Sequence, residues 1–367
     1  MTSTAEPNSS LVSVCVPTHN DGAYFAESLR SIVGQTYEHL EILVGDDAST
    51  DDTEAIVRSM NDPRILYRRN ATNLGQFANV NELVCRARGK YVAIYHADDV
   101  YEPDIVCKEV EFLQRYLDVG AVFALDRLID HNGRVFASRA MPKEIALRAG
   151  LDFPEVMRFL LRYKNVLLCA PSFMGRAEML RRAGPFDTTE YSIASDLEMW
   201  IRILTVSRVA VLDEYLMRYR RSPTQLSSGY NYLRTFPDHF FAILDRYLEL
   251  LNQTEPADAI SLTEYAFHRC DDYTFRAANH VILGNARAAR ELLAFPFPWK
   301  TFFFNFRRRK LRVLLLRLLL MAGLASGTWP LLRGLLLRTE YPGPTFRGAP
   351  KPVMAGSNFN GGTGQNR

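Results

Sequence analysis

Two adjacent carboxylates, Asp98 and Asp99, directly follow the apolar run Tyr91–Tyr95. Carboxylate oxygens are hard ligands for Mn²⁺ or Mg²⁺, and a cation held there can bridge to a diphosphate. The plainer alternative is a capped turn between a strand and a helix. Asp46-Asp47 closes a second apolar run that starts at Glu41, and Thr18-His19-Asn20 follows a third, Leu11 to Val16 with Pro17. Ligands of open parallel sheets bind beyond the carboxyl ends of the strands. Three polar clusters at three such ends therefore favour one ligand site over three unrelated turns.

The segments between these clusters have helical spacing. Phe25, Leu29, Ile32 and Val33 mark a helix over 22–34, and Ser49 or Thr50 could cap another over 52–60. Ile65–Tyr67 is a third short strand. Val80, Leu83, Val84 and Ala87 share a face in 76–87, and Pro103 suits the first turn of a helix running to Leu117. Strands alternating with helices predict an α/β fold with a mostly parallel sheet. Beyond it, Asn132-Gly133 signals a hairpin within 120–136. Helices are expected over 152–163 and 195–205, with a short strand at Ser172–Gly175 leading into a helix that ends at Gly184 and another strand at Val209–Leu212. Helices over 232–252, 257–281 and 284–294 form a helical C-terminal region.

Composition narrows the class. With 367 residues, 47% apolar and 23% charged, the chain is neither disordered, collagen-like nor a coiled coil. Cys15, Cys85, Cys107, Cys169 and Cys270 form no CxxC pair, which argues against a disulfide framework or structural zinc and suits a reducing compartment. The first ten residues lack a basic start and an apolar stretch, so no signal peptide is expected. GxGxxG, P-loop, GxSxG and HExxH motifs are all absent.

Charge is unevenly spread. Residues 300–340 carry nine Lys/Arg and one acid, a balance of +8, whereas residues 1–299 carry −8. Phe302-Phe303-Phe304, the basic run from Arg307 to Lys310, and leucines broken by Arg312 and Arg317 follow one another. A span needs about 20 apolar residues, whereas Leu318 to Leu332 gives fifteen uncharged ones with Gly323, Gly327 and Pro330 among them. A basic amphipathic segment lying on an anionic membrane is expected over 301–340, with a helix packed into the core as the alternative. No nucleic-acid motif accompanies the basic residues, so no nucleic-acid partner is expected.

Pro17-Thr18-His19-Asn20, Asp46-Asp47-Ala48-Ser49, Asn73-Leu74-Gly75, Ala97-Asp98-Asp99, Gly184-Pro185-Phe186-Asp187 and Ser195-Asp196-Leu197-Glu198-Met199-Trp200 occur in that order. The set resembles the family 2 inverting glycosyltransferases with the GT-A fold, over about residues 11–225. The resemblance implies a nucleotide-diphospho-sugar transferase fold and a bacterial surface-polysaccharide or glycoconjugate setting. It places Pro17, Thr18 and Asn20 in the first nucleotide-binding loop and Asp47 against the base. It puts Asp98 against the ribose or sugar, Asp99 on Mn²⁺ or Mg²⁺, and Asp196 in the place of the catalytic base. Two departures stand out: Ser195 replaces the first acid of the family's Glu-Asp pair, and His96 stands where many members have Asp. His96 is expected to shape the pocket rather than to bind metal.

The chemistry suits those roles. Inverting transfer needs a base on the acceptor side and a cation for the departing diphosphate. Read alone, Asp196 could equally be an ordinary acid in a helix's first turn. Arg218, Arg220, Arg221 and Gln225 follow the last strand; Arg220 and Arg221 suit donor phosphates, with plain surface solvation as the alternative. The expected organisation is a flexible start (1–10), a catalytic domain (11–228), a helical region (229–300), the basic segment (301–340) and a disordered tail (341–367). The expected function is metal-dependent sugar transfer from a nucleotide diphosphate sugar to a glycan or lipid-linked hydroxyl. The expected place is the cytoplasm, peripherally on the inner face of the cell membrane. The alternatives are a catalytically silent nucleotide-sugar-binding membrane scaffold and a nucleotidyltransferase.

Overall fold

A computed structural model describes residues 10–143, 145, 148–222, 233–304 and 308–338. The expected flexible start up to residue 9, the 341–367 tail, Gln225 and Arg307 lie outside the described residues, as does the boundary expected at 228.

The first half alternates as expected: β1 (Val12–Thr18), α1 (Gly22–Val33), β2 (Leu40–Asp46), α2 (Thr53–Ser59), β3 (Ile65–Arg69), α3 (Gln76–Arg86) and β4 (Tyr91–Ile94). Every residue of β1, β2 and β4 is buried, the signature of parallel strands covered on both faces. A two-residue β5 (Val100–Tyr101) leads to α4 (Ile105–Arg115). The predicted hairpin is β6 (Val119–Ile129) and β7 (Val135–Ser138), paired antiparallel around Gly133, whose φ is +78°. Then come α5 (Phe153–Tyr163), β8 (Phe173–Arg176), α6 (Ala177–Ala183), α7 (Ser195–Leu204) and β9 (Arg208–Arg220).

The sheet order is β3-β2-β1-β4-β8-β6-β9-β5, with β7 on β6. β3, β2, β1 and β4 are mutually parallel, and β6 and β9 are parallel to each other. β8 enters antiparallel between β4 and β6, and β5 is antiparallel to β9. The four-residue strand expected at Val209–Leu212 is the first third of the thirteen-residue β9. Register shifts against β6 let Asp213 and Glu214 bulge out between two buried stretches.

One core lies on each face of the sheet. The first gathers Trp200, Phe173 and Phe123 with α5 and the later helices, and the second gathers Phe25, Tyr37 and Tyr95 under α1 and α4. Asp152 and Glu155 form a capping box at the start of α5. The helical region is α8 (His239–Thr254), α9 (Ala259–Ile282), α10 (Ala286–Leu293), α11 (Trp299–Phe304), α12 (Arg308–Ala325) and α13 (Trp329–Arg338). α9, α10, α12 and α13 close a third apolar core around Ala277, Val281, Leu293, Leu320, Leu324 and Leu332. Among the described residues no helix is long and apolar enough to cross a membrane.

Candidate active site

The loops after β1 and β2 are stitched into one rim. Thr18 Oγ1 and the His19 N–H both donate to Asp21 Oδ2 at 3.0 Å. His19 Nδ1 lies 2.7 Å from the Asp47 carbonyl oxygen, which can only accept, so Nδ1 carries a proton there. Asn20 takes φ +58°, a left-handed conformation that Asn tolerates. Its N–H donates to Ser49 Oγ, and its Oδ1 accepts from the Thr50 N–H. Pro17 lies inside β1 beside Gly45, directly beneath this rim.

Asp47 holds the third motif in place. Its Oδ1 accepts from Asn70 Nδ2 (2.9 Å) and the Leu74 N–H (2.8 Å), and its Oδ2 from the Gly75 N–H (2.8 Å). Gly75 adopts φ +90°, which a side chain would strain. Asp46 beside it turns inward, accepting from Tyr67 Oη and the Ser49 N–H.

At the end of β4, His96, Asp98 and Asp99 bring one ligand atom each to within 4.8 Å of one another. Asp99 is fully buried. Its Oδ1 accepts from the Arg220 N–H at 2.7 Å, while its Oδ2 is buried without a hydrogen-bond partner. Burial, with Asp98 beside it, pushes the Asp99 carboxyl well above the usual range. Burial also lowers His96 to about 4, leaving a neutral imidazole of the kind that ligates metals. An orphaned carboxylate oxygen, a second carboxylate and a neutral imidazole together fit a divalent cation, which would favour the ionised form of Asp99. His96 thus joins the cluster that the sequence reading confined to the two aspartates. Tyr101, stacked on Tyr95 with centroids 4.0 Å apart, places its hydroxyl 2.6 Å from the His96 backbone nitrogen.

Beyond the 70–75 loop, Asn81 of α3 exchanges two hydrogen bonds with the Phe186 backbone, and Phe77 stacks on Phe186. Asp187 Oδ1 accepts from the backbone N–H groups of Thr189, Glu190 and Tyr191. Gly184-Pro185-Phe186-Asp187 is thereby a scaffold for the approach to α7. A cavity of about 210 Å³ separates Leu74 and Gly75 from Asp187, Ser192 and Ile193. Ser195, where the family has its first acid, donates to the Ser192 carbonyl and closes the turn before α7. Asp196 stands in the first turn, and its Oδ1 accepts from the Leu197 N–H at 2.6 Å. Burial raises its pKa to about 6. Glu198, two residues on, is buried and bound by Arg202 and Tyr247, so it belongs to the packing of α7.

Arg220 lies behind the aspartates, and Arg221 follows it just past the end of β9. Arg220 is 1% exposed. Its guanidinium donates to the carbonyls of Asp98 and Asp130 and to Glu27, and stacks over Tyr24. That geometry makes Arg220 a clamp on the turn that carries Asp98 and Asp99. The Arg221 guanidinium lies over the Tyr219 ring, and its N–H donates to the Ile129 carbonyl. Arg218 pairs with Glu102 at 3.4 Å. Two groups near the site were not apparent in the sequence. Asp21 anchors the first loop, and burial, with the charge of Asp98 nearby, raises its carboxyl. Asp126, buried in β6, pairs with Arg139 at 2.9 Å and acts electrostatically on Asp99. Neither belongs to an ordered motif, and both are brought in by strand packing.

Residues 13–184 match the family model described as Glycosyl transferase family 2. An uncharacterized glycosyltransferase of Methanocaldococcus jannaschii is 31% identical over 221 residues, covering 59% of this chain and 72% of that protein. A Bacillus subtilis glycosyltransferase named for teichuronic acid biosynthesis is 26% identical over 223 residues, covering 60% and 82%. Staphylococcus aureus TarS residues 1–349 with UDP-GlcNAc superpose with a TM-score of 0.55 at 19% identity, covering 90% of this chain and 93% of that one. A Pyrobaculum calidifontis mannosyltransferase with GDP-Man and Mn²⁺ gives 0.51 at 18% identity, covering 88% and 89%. The ordered motifs, the sheet that carries them and the span of these matches have one explanation: the chain belongs to the family 2 glycosyltransferases.

Proposed function

We propose that this glycosyltransferase moves a sugar, with inversion, from a nucleotide diphosphate sugar to a hydroxyl of a glycan or lipid-linked acceptor. Mn²⁺ or Mg²⁺ would be held by Asp99 with Asp98 and His96. The reaction would serve surface polysaccharide or glycoconjugate synthesis, with the enzyme peripheral on the inner face of the cell membrane. The observation that carries the reading is the buried, unpartnered Oδ2 of Asp99 inside the cluster at the end of β4. The B. subtilis relative's name and the nucleotide-sugar complexes of the two structural neighbours support it.

Each residue then has a task. The rim of Pro17, Thr18 and Asn20, with the loop clamped by Asp47, receives the nucleotide. Asp98 meets the ribose or sugar, and Arg221 is assigned to the donor diphosphate, which a guanidinium suits. When bound, the cation stabilises the charge that develops on the leaving diphosphate. Asp196, ionised above pH about 6, takes the proton of the acceptor hydroxyl. The hydroxyl oxygen bonds to the anomeric carbon as the bond from that carbon to the diphosphate oxygen breaks.

A thermal-shift panel of UDP-, GDP-, dTDP- and CDP-sugars with Mn²⁺ tests the reading. One donor class should raise the melting temperature in a concentration-dependent way, because a ligand that binds only the folded state stabilises it. No shift with any donor at millimolar concentration would refute it.

A further inference from the structure

α12 and α13 carry leucines on two faces: Leu320, Leu324, Leu332 and Leu336 close the third core, and a second set faces out. Between Val313 and Ala325 the only charged residue is Arg317, and it points into the protein. Its guanidinium donates to the Leu293 carbonyl at 2.6 Å and to the Phe295 carbonyl. A cation there suits the C-terminus of α10, where carbonyls lack helical partners. Lys310 also points inward, 2.7 Å from Glu264. The opposite face carries leucines instead. Leu315 is 56% exposed, Leu318 51%, Leu331 77% and Leu335 50%.

The basic segment over 301–340 is expected to lie on lipid, and two of its charges, Lys310 and Arg317, are instead internal. Arg309 is partly committed as well, through Asp271 at 2.5 Å. The surface that remains is a leucine face with Arg308 and Arg312 exposed at the start of α12. Soluble helices put leucine inside and charge outside. A helix that keeps leucines on its outer face as well makes sense where that face is covered by an apolar medium. Arginines bordering that face match the headgroups of an anionic bilayer, and α12 is too short and too interrupted by Arg317 to span one.

We infer that the outward leucine face of α12 and α13 seats in the headgroup–acyl boundary of an anionic membrane, with leucine insertion as the main source of affinity. This rests on the peripheral-membrane part of the proposed function and names its surface. The test is co-sedimentation of the full chain with phosphatidylglycerol/phosphatidylethanolamine vesicles. It compares the wild type with Leu315→Ser/Leu318→Ser/Leu331→Ser and with Arg308→Gln/Arg312→Gln. The leucine variant should lose about a thousandfold in partitioning, at about tenfold per leucine buried. The arginine variant should lose about tenfold, in a salt-sensitive manner. Acyl-brominated lipid should quench Trp329 fluorescence in the wild type and not in the leucine variant. Both variants should keep the wild-type melting temperature, because the altered side chains are exposed. Undiminished binding of the leucine variant would overturn the assignment while leaving membrane association standing. No vesicle binding by the wild type, with a leucine-dependent dimer in solution, would overturn it in favour of a second copy. Donor stabilisation, measured separately, would still report on the transferase reading.

Discussion

Asp196→Asn separates the base from everything else in the site. Asn keeps the volume and an Oδ1 that can accept from the Leu197 N–H at the start of α7, so the fold and melting temperature should hold. What disappears is the group able to take a proton. General-base removal typically costs about 10²–10⁴ in rate, and turnover at saturating donor and acceptor should fall by that factor. The pH profile adds a second signature. Burial disfavours the charged carboxylate and lifts Asp196 to about 6, so the active, ionised form accumulates as pH rises through that value. At pH about 5 roughly one-tenth of the molecules are ionised, and wild-type turnover should be about tenfold below its plateau above pH about 7. The acid limb should vanish in the variant, leaving its residual rate flat. Release of nucleoside diphosphate, followed continuously, reads both effects. A variant within about threefold of wild type, or one that keeps the acid limb, would refute the assignment.

Further substitutions probe the supporting shell. Asp47→Ala leaves three donors around the 70–75 loop without their acceptor, and should cost about 2–4 kcal/mol in stability and weaken donor binding at least about tenfold, read by chemical denaturation and calorimetry. Arg220→Ala should lower stability by about 2–3 kcal/mol and loosen the Asp98-Asp99 turn, so that Mn²⁺ affinity falls along with the melting temperature. Lys310→Ala strands Glu264 in the interior and should cost about 3 kcal/mol or more, whereas Arg312→Ala, at an exposed position, should change stability by less than about 0.5 kcal/mol.

The polar clusters at strand ends were legible because the strands that carry them are continuous apolar runs, buried on both faces. Asp47 and Asp99 could be placed from chain order alone. Their working partners could not. Asp47's acceptors are filled by the loop 70–75, and Asp99's by a backbone N–H from β9, more than a hundred residues on. β9 itself reads short in sequence because Asp213 and Glu214 interrupt its apolar alternation; pairing with β6 carries the strand through them. Arg220 reads as a basic side chain in a polar run, and only the approach of β9 to the β4 turn buries it. The orientation of α12 was equally hidden. Arg317 among leucines suggests a charge in an apolar stripe, whereas the open carbonyls of α10 draw it inward, so that Leu320 and Leu324 pack beside it in the third core and Leu315 and Leu318 face out. The Asn132-Gly133 hairpin was read correctly because its signal is local.

The central claim is that donor binding runs through a cation on Asp99. Calorimetric titration of the stabilising nucleotide sugar into wild type and Asp99→Asn, each with Mn²⁺ and with chelator, addresses it most directly. Wild-type affinity should drop at least about tenfold on chelation, and the variant should bind weakly and equally in both conditions. Equal wild-type affinity with and without Mn²⁺, or an Asp99→Asn protein with undiminished Mn²⁺-dependent binding, would contradict it.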